Sequence, residues 1–291
     1  MDTYLILKGV AGLGDRMKTL GGAIKLAIQT NRTLIIDWTD PTWNHSEPPK
    51  GFFAYFGLNV PPGLKILTSD AAIRSTLLTL NSCNSVCPHV WRGQMQRTDY
   101  RVDRSTSKLV LDGQIILLSD EQVINCTEQI VVYTAYVRGD FDDVVPHLTF
   151  TRETEVPVFD IGVHFRNTDK ASDILPILKN IQDIWKLGMR IYVATDNVSS
   201  VSQFVASFGT SVTHAGIHHI CRSALESIGL TKEDVNRDAI LDVHILCKAT
   251  IFIGTESSYF TRFVQSIRKN VALKTQDIFL HGNRGSLDWD C

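Results

Sequence analysis

An arginine directly follows a continuous apolar run near the middle of the chain. The run covers residues 158–165, and the segment after it contains Arg166, Asp169 and Lys170. A guanidinium can make paired hydrogen bonds to a diphosphate, and open α/β sheets bind ligands at the carboxyl ends of their strands. The segment therefore predicts a diphosphate-binding arginine whose guanidinium Asp169 can hold. A structural ion pair at a strand end explains the same residues equally well.

In two further segments, an apolar run is followed by side chains that can bind a nucleotide. Asp196 follows residues 190–194, and its carboxylate can accept hydrogen bonds from a ribose, a base or a sugar hydroxyl. Ser257 and Ser258 stand at the expected start of a helix, where free backbone amides and two hydroxyls form an anion site. The alternative for both segments is an ordinary helix N-cap.

The spacing of apolar residues predicts the elements that position these groups. Near the N-terminus, a strand over 4–7, a glycine turn, a helix capped by Asp15 and a strand over 33–36 form a βαβ unit, which implies a parallel sheet. The second half repeats this alternation, with strands over 158–165, 190–194, 211–213, 250–253 and 271–273, and helices over 174–187, 198–208, 238–248 and 257–268. We therefore predict two Rossmann-type α/β domains, residues 1–150 and 151–291, whose parallel sheets face a central ligand cleft.

Composition excludes several classes of protein. The chain has 291 residues, is 44% hydrophobic and carries a net charge of −2, so it is too apolar for disorder and has no general attraction to nucleic acid. It contains no apolar stretch of about 18 residues and no basic leader, so we expect a cytoplasmic protein without stable membrane insertion. Its six cysteines are scattered and match neither a zinc pattern nor a disulfide framework.

Metal and dinucleotide sites are supported by weaker patterns. Asp-x-Asp triplets occur at 140–142 and 288–290, and three histidines lie between 214 and 219, but none has the spacing or strand context of a metal site. The glycines of 9–14 resemble a dinucleotide fingerprint without matching it, and Asp37 falls where a ribose-binding acid is expected. We expect no metal cofactor, and an NAD-linked enzyme remains an alternative.

Together, these segments resemble the α1,6-/protein-O-fucosyltransferase superfamily, and most closely its rhizobial nodulation-factor branch. The opening from Gly12 to Asp15, continued by residues 31–38, is similar to that of the nodulation enzymes. Residues 161–170, 192–197 and 239–258 resemble the first, second and third peptide motifs of the superfamily and occur in the same order.

This resemblance implies a GT-B fold and inverting, metal-independent transfer of fucose from GDP-fucose to a hydroxyl of a glycan or protein. It assigns the β-phosphate contact to Arg166. The other donor-binding positions it implies are Gly12, Gly14, His164, Asp169, Lys170, Asp196, Asp242, Thr255, Ser257 and Ser258. The alternatives are a GT-B transferase for another nucleotide sugar and a non-catalytic nucleotide- or sugar-binding module of the same fold.

Two positions depart from the superfamily pattern. Asn167 stands where a second arginine is frequent, which favours a weaker grip on the donor or a different acceptor. The position of the base proposed for the core α1,6 enzymes corresponds to Ile174, which Asp173 precedes. Asp173 and Asp15 are therefore our candidates for the carboxylate that takes the proton of the acceptor hydroxyl.

Overall fold

The computed structural model divides the chain into two units, Met1–Glu153 and Thr154–Cys291. The boundary expected after residue 150 lies close to this division. The structure describes residues 2–9, 12–38, 43, 50–80, 101–103, 108–111, 114–115, 120–125, 130–133, 139–151, 155–166, 173–214, 229–271 and 276–280.

The first unit contains a parallel four-stranded sheet, and two of its strands form a βαβ unit with the helix between them. Its strand order is β4-β2-β1-β8, with bounds Tyr4–Lys8 for β1, Thr33–Asp37 for β2, Lys65–Ile66 for β4 and Ile130–Tyr133 for β8. Helix α1, Leu13–Gln29, connects β1 to β2, as the apolar periodicity predicts. The prediction that Asp15 caps α1 is wrong, because the extended backbone of Gly12 is the N-cap and Asp15 lies in the first turn.

Shorter elements complete the first unit. The described bounds are Phe56–Leu58 for β3, Arg101–Asp103 for β5, Lys108–Leu111 for β6, Gln114–Ile115 for β7, Leu148–Phe150 for β9, Asp70–Leu80 for α2 and Asp120–Ile124 for α3. Strands β3 and β9 pair antiparallel, as do β5, β6 and β7. Trp38, Phe52 and Phe56 are fully buried and meet edge to face or stacked, so this aromatic cluster belongs to the core.

The second unit contains a parallel five-stranded sheet with Rossmann-type strand order. The order is β12-β11-β10-β13-β14, with bounds Ile161–Phe165 for β10, Ile191–Thr195 for β11, Val212–Thr213 for β12, Ile251–Thr255 for β13 and Gln276–Leu280 for β14. Successive strands run outward from β10 on one side, and the chain then crosses to β13 on the other. The direction of strand order therefore reverses between β10 and β13, which is where such sheets bind ligands.

Helices cover both faces of this second sheet. The bounds are Ile174–Ile184 for α4, Val198–Phe208 for α5, Lys232–Lys248 for α6 and Tyr259–Asn270 for α7. The alternate residues Ile161, Val163 and Phe165 share a core cluster with residues of α4 and α5. On the opposite face, a Cβ at Gly162 would lie 2.8 Å from the Cβ of Ala249, so only glycine allows α6 to lie this close.

Several predicted elements of the second unit have different bounds in the structure. Strand β10 begins at Ile161 and not at residue 158, and α6 begins at Lys232 instead of 238. Val271, where a last strand was predicted to begin, closes the end of α7 through a hydrogen bond from its amide to the carbonyl of Ile267, and residues 272–273 lie outside the described residues. The last described strand is β14, further along the chain.

Candidate functional site

Arg166 is the first residue after β10, and groups from both neighbouring strands hold it. Its Nε lies 3.1 Å from Oδ2 of Asp196, which follows β11. Its backbone amide donates to the hydroxyl of Thr255 at 3.3 Å, and Thr255 is the last residue of β13. The side chain of Arg166 is 27% exposed and that of Asp196 is 5% exposed. A buried carboxylate thus orients a guanidinium that a ligand can reach.

The carboxylate of Asp196 has this role because another residue caps the following helix. Asn197 is the N-cap of α5, and its Oδ1 accepts from the amide of Ser199 at 3.0 Å. The alternative interpretation of Asp196 as the N-cap is therefore wrong. Sequence reasoning paired Arg166 with Asp169, which lies outside the described residues, and did not pair it with Asp196.

The turn after β13 brings Ser257 and Ser258 to the same edge of the sheet. Ser258 is the N-cap of α7, but its side chain makes no capping hydrogen bond. Its backbone amide donates to the carbonyl of Thr255 at 3.0 Å. The first turn of α7 contains no acidic residue that would offset the positive end of the helix dipole. The alternative of an ordinary serine cap is therefore wrong, and the anion-binding role of the turn stays a prediction.

His164 is buried two residues before Arg166, on the face of the sheet that α7 covers. Its Nδ1 lies 2.7 Å from Oγ1 of Thr261, and its ring packs on Phe260 at 4.6 Å between centroids. Sequence reasoning missed Thr261. A usable signal was present, since Thr261 is a polar residue on the buried stripe that Val264 continues.

Asp242 lies within α6 and contacts the sheet. It is 2% exposed, and its Oδ1 accepts a hydrogen bond from the hydroxyl of Tyr192, 2.5 Å away. Tyr192 belongs to β11 and was not singled out in the sequence. This hydrogen bond ties α6 to β11, and the predicted contact of Asp242 with the nucleotide stays a prediction.

The remaining candidates belong to the start of α4, to the segment after Arg166 and to the first unit. Asp173 is the exposed N-cap of α4, and its Oδ1 accepts from the amide of Leu175 at 3.0 Å. Lys170, like Asp169, lies outside the described residues. Gly12, Gly14 and Asp15 belong to the first unit, where Gly12 is exposed, Gly14 is buried and Asp15 is half-buried at the start of α1.

The acidic residue that the dinucleotide-binding interpretation assigns to a ribose is already engaged in the structure. Asp37 is 1% exposed and forms a buried ion pair with Lys8, so its carboxylate is engaged within the core of the first unit. Gly9 lies against the side chains of Arg16 and Trp38, and any side chain at this position would collide with them. The glycine at position 9 thus serves close packing around a buried arginine.

The metal-binding interpretations find no support among the residues with described positions. Asp140 uses its carboxylate to accept from the amide of Asp142 at 3.4 Å and so caps a 3₁₀ turn. Throughout the described ranges, no three His, Cys, Asp or Glu side chains group as metal ligands do. The second triplet, at 288–290, lies outside these ranges. None of the helices in the described part of the chain is long and apolar enough to cross a membrane.

The fold is similar to that of known fucosyltransferases. No family model and no curated protein sequence matches the chain. Among solved structures, NodZ α-1,6-fucosyltransferase co-crystallized with GDP aligns with 17% identity and a TM-score of 0.56, over 91% of this chain and 92% of that chain. The fucosyltransferase NodZ from Bradyrhizobium aligns with 17% identity and a TM-score of 0.55, over 91% and 93%. POFUT1 in complex with GDP aligns with 11% identity and a TM-score of 0.57, over 96% and 99%.

These alignments confirm the predicted fold. The chain has the α/β fold of GT-B fucosyltransferases, and this similarity of fold covers most of its length. At identities of 10–18% the similarity concerns the fold, and the chemistry has to be argued from the residues of this chain.

Proposed function

We propose that the protein is an inverting glycosyltransferase that transfers fucose from GDP-fucose to a hydroxyl of a glycan or protein, without a metal ion. The observation that carries the proposal is the grouping of Arg166, Asp196 and Thr255 where the strand order reverses. The solved structures of similar fold include complexes with GDP and with GDP-fucose, which supports the choice of donor.

The main requirement of this reaction is that the protein stabilise the negative charge that develops on the leaving diphosphate. When the bond between the fucose anomeric carbon and the β-phosphate oxygen breaks, the electron pair goes to the departing GDP. Arg166 is oriented by a buried carboxylate and can bind two of the oxygens on which this charge grows. The amides at the start of α7, together with Ser257 and Ser258, supply further donors to the diphosphate. Lys170, which lies outside the described residues, is the second cation that we assign to this role.

The acceptor contributes the new bond and loses a proton. Its hydroxyl oxygen attacks the anomeric carbon on the face opposite the diphosphate, so the configuration inverts. The proton passes to a carboxylate, and Asp173 and Asp15 are the proposed acceptors. His164, Asp242 and Thr255, with Gly12 and Gly14, complete the set of positions that we propose to bind or border the donor.

Substitution of Arg166 tests the proposal directly. We expect Arg166→Ala to lower turnover of GDP-fucose by about two orders of magnitude or more, because losing one preorganised donor costs about 3–4 kcal/mol. Turnover is measured by mass detection against mixed glycan and peptide acceptors. The matched control is Arg237→Ala, since Arg237 also pairs with an aspartate, Asp234, at 3.2 Å but is 62% exposed on α6.

The outcomes separate the possible functions. Full activity of Arg166→Ala on GDP-fucose would refute the proposal. Binding of GDP-fucose without transfer or hydrolysis would indicate a binding module, and transfer from another nucleotide sugar would move the assignment to a different donor. We expect turnover to persist in EDTA, and its loss there would reverse the assignment of a metal-independent reaction.

A further inference from the structure

Two consecutive residues of α7 contact the imidazole of His164. Its Nδ1 lies 2.7 Å from Oγ1 of Thr261, and its ring packs on Phe260 with an interplanar angle of 32°. Its partners across the strand ladder are Ala194 and Gly254, which carry at most a methyl group. Residues of α7 therefore contribute to the orientation of the ring.

The sheet is shaped to admit Thr261 at this point. A Cβ at Gly254 would collide with the side-chain methyl of Thr261, so a glycine is needed for α7 to approach. Thr261 itself is fully buried. A buried hydroxyl costs free energy unless it is hydrogen-bonded, and the contact with His164 satisfies this requirement.

The contact selects one of the two flipped orientations of the imidazole ring. A neutral imidazole has one donor and one acceptor nitrogen, and a hydroxyl can bond to either. Rotation of the ring by half a turn would place a carbon where Nδ1 now faces Thr261 and would break the bond. The opposite nitrogen, Nε2, is thereby held in a single direction.

We propose that Thr261 is a positioning residue that holds His164 so that Nε2 bonds to the nucleoside diphosphate of the donor. This inference rests on the proposed function. The carbonyl oxygen of His164 lies 3.4 Å from the hydroxyl of Thr255. This hydroxyl also accepts a hydrogen bond from the backbone amide of Arg166. His164 and Arg166 therefore belong to one hydrogen-bonded strand end, at the point where the strand order reverses.

Two substitutions at Thr261 separate its hydroxyl from its packing. Thr261→Val keeps the shape and removes the hydroxyl, whereas Thr261→Ser keeps the hydroxyl. We expect Thr261→Val to raise the Kd for GDP and the KM for GDP-fucose about five- to tenfold, with a smaller change in kcat, as the loss of one hydrogen bond implies. Thr261→Ser should stay within about twofold of the wild type. Thr79→Val is the control, because the Thr79 hydroxyl bonds along α2 of the first unit, to the Ser75 carbonyl at 3.0 Å.

A spectroscopic measurement reports on the ring itself. In ¹⁵N-histidine NMR spectra, we expect the Nδ1 signal of His164 to move in Thr261→Val, which lacks the hydrogen-bonding hydroxyl, and to keep its wild-type position in Thr261→Ser. The His164→Gln spectrum identifies the signal among the nine histidines. If Thr261→Val does not fold, addition of GDP to the wild type decides, since an Nε2 signal of His164 that GDP leaves unchanged would overturn the proposal.

The results distinguish failure of this inference from failure of the proposed function. A wild-type protein that does not bind GDP would overturn both. GDP binding that is lost in Arg166→Ala but unchanged in Thr261→Val would overturn the positioning role alone. Equal losses in Thr261→Val and Thr261→Ser would also overturn it, because keeping the hydroxyl would then give no advantage over losing it.

Discussion

Asp173 combines a structural contact with a proposed chemical role, and one substitution separates them. Its carboxylate caps α4 by accepting from the amide of Leu175, and the side chain is exposed. Asparagine is an equally good N-cap but cannot take a proton from the acceptor. We therefore expect Asp173→Asn to leave the melting temperature unchanged and to lower kcat about a hundredfold or more. Both quantities are measured on the same preparation.

The comparison with Asp173→Ala makes this test decisive. Alanine removes both the cap and the base, so we expect the same loss of kcat together with about 1 kcal/mol lower stability. If Asp173→Asn turns over at the wild-type rate, Asp173 caps α4 and is not the catalytic base. The same measurement on Asp15→Asn would then test the other candidate base.

At the level of single residues, the sequence predicted which side chains stand at strand ends better than it predicted which side chains contact each other. Arg166 and Asp196 were each identified at the end of an apolar run, because the ends of parallel strands are visible in a one-dimensional pattern, whereas Thr255 was implied by the resemblance alone. That Asp196 and not Asp169 pairs with Arg166 depends on the spatial order of β10, β11 and β13, which the chain order does not give. Thr261 was missed for the same reason, since its partner stands almost a hundred residues away.

At the level of elements, α6 begins with a capping box that links its stability to pH. The hydroxyl of Thr231 accepts from the amide of Asp234 at 3.2 Å, and the Asp234 carboxylate accepts from the amide of Thr231 at 3.0 Å. Hydrogen bonds from the hydroxyl and the amide of Thr231 lower the pKa of Asp234 below its ordinary value. The ionised form is therefore favoured in the folded protein.

Replacement of Asp234 should destabilise the protein only while the carboxylate is ionised. We expect Asp234→Ala to cost about 1 kcal/mol at pH 7, as loss of a cap does. Because the pKa is lowered on folding, this contribution is complete above the unfolded pKa of about 3.9 and is lost as the pH falls through the folded pKa. Urea unfolding of both proteins at pH 7 and at low pH measures the difference. A difference that does not shrink in acid would contradict the assignment.

The carboxyl end of α6 is held by a buried arginine from α7. Arg268 is 1% exposed, and its Nη1 donates to the carbonyl oxygens of Leu246 at 3.0 Å and Ala249 at 2.6 Å. Its Nε donates to Asp277 of β14 at 2.9 Å. One planar side chain thus joins two helices and an edge strand, and it satisfies carbonyls that a helix end leaves without partners.

Loss of this arginine should be among the costlier single changes in the second unit. Arg268→Met keeps much of the apolar length but removes the donors, so we expect a loss of about 3–5 kcal/mol in the free energy of unfolding. The adjacent Lys269 is exposed, and Lys269→Met should change stability by no more than about 0.5 kcal/mol. Denaturant unfolding compares the two variants, and equal stabilities would show that Arg268 does not hold the helix end.

Element types were predicted more reliably than element ends. The strands and helices around residues 161–208 were expected from periodicity, and α5 was predicted with its observed bounds. The start of α6 was placed six residues late because its first turns carry charged residues, and the Thr231–Asp234 capping box was not recognised. Val271, the first residue of the strand predicted over 271–273, closes the end of α7, and the other two residues lie outside the described part of the chain.

At the level of the whole molecule, the pattern of parallel strands is preserved where little sequence identity remains. Alignments with 11–17% identity still cover more than nine tenths of this chain. Burial and periodicity constrain which positions are apolar, and many sequences meet that constraint. Residues 40–105 offered no such periodicity, because prolines interrupt them, and the elements β3, β4 and α2 were accordingly not predicted.

A thiol in the second unit can report whether GDP binds to the folded molecule. Cys247 is half-buried, desolvation raises the pKa of its thiol to about 12, and its Sγ lies 3.9 Å from the carbonyl of Val264. Only the thiolate reacts with alkylating reagents, so we expect labelling at pH 8 to require unfolding. GDP at a hundred times its Kd should then slow labelling about a hundredfold, because it binds the folded state alone. Mass spectrometry of the Cys247 peptide measures the rate, with UDP and Arg166→Ala as controls. Rapid labelling of the native protein would contradict the burial, and a rate indifferent to GDP would contradict the proposed nucleotide site.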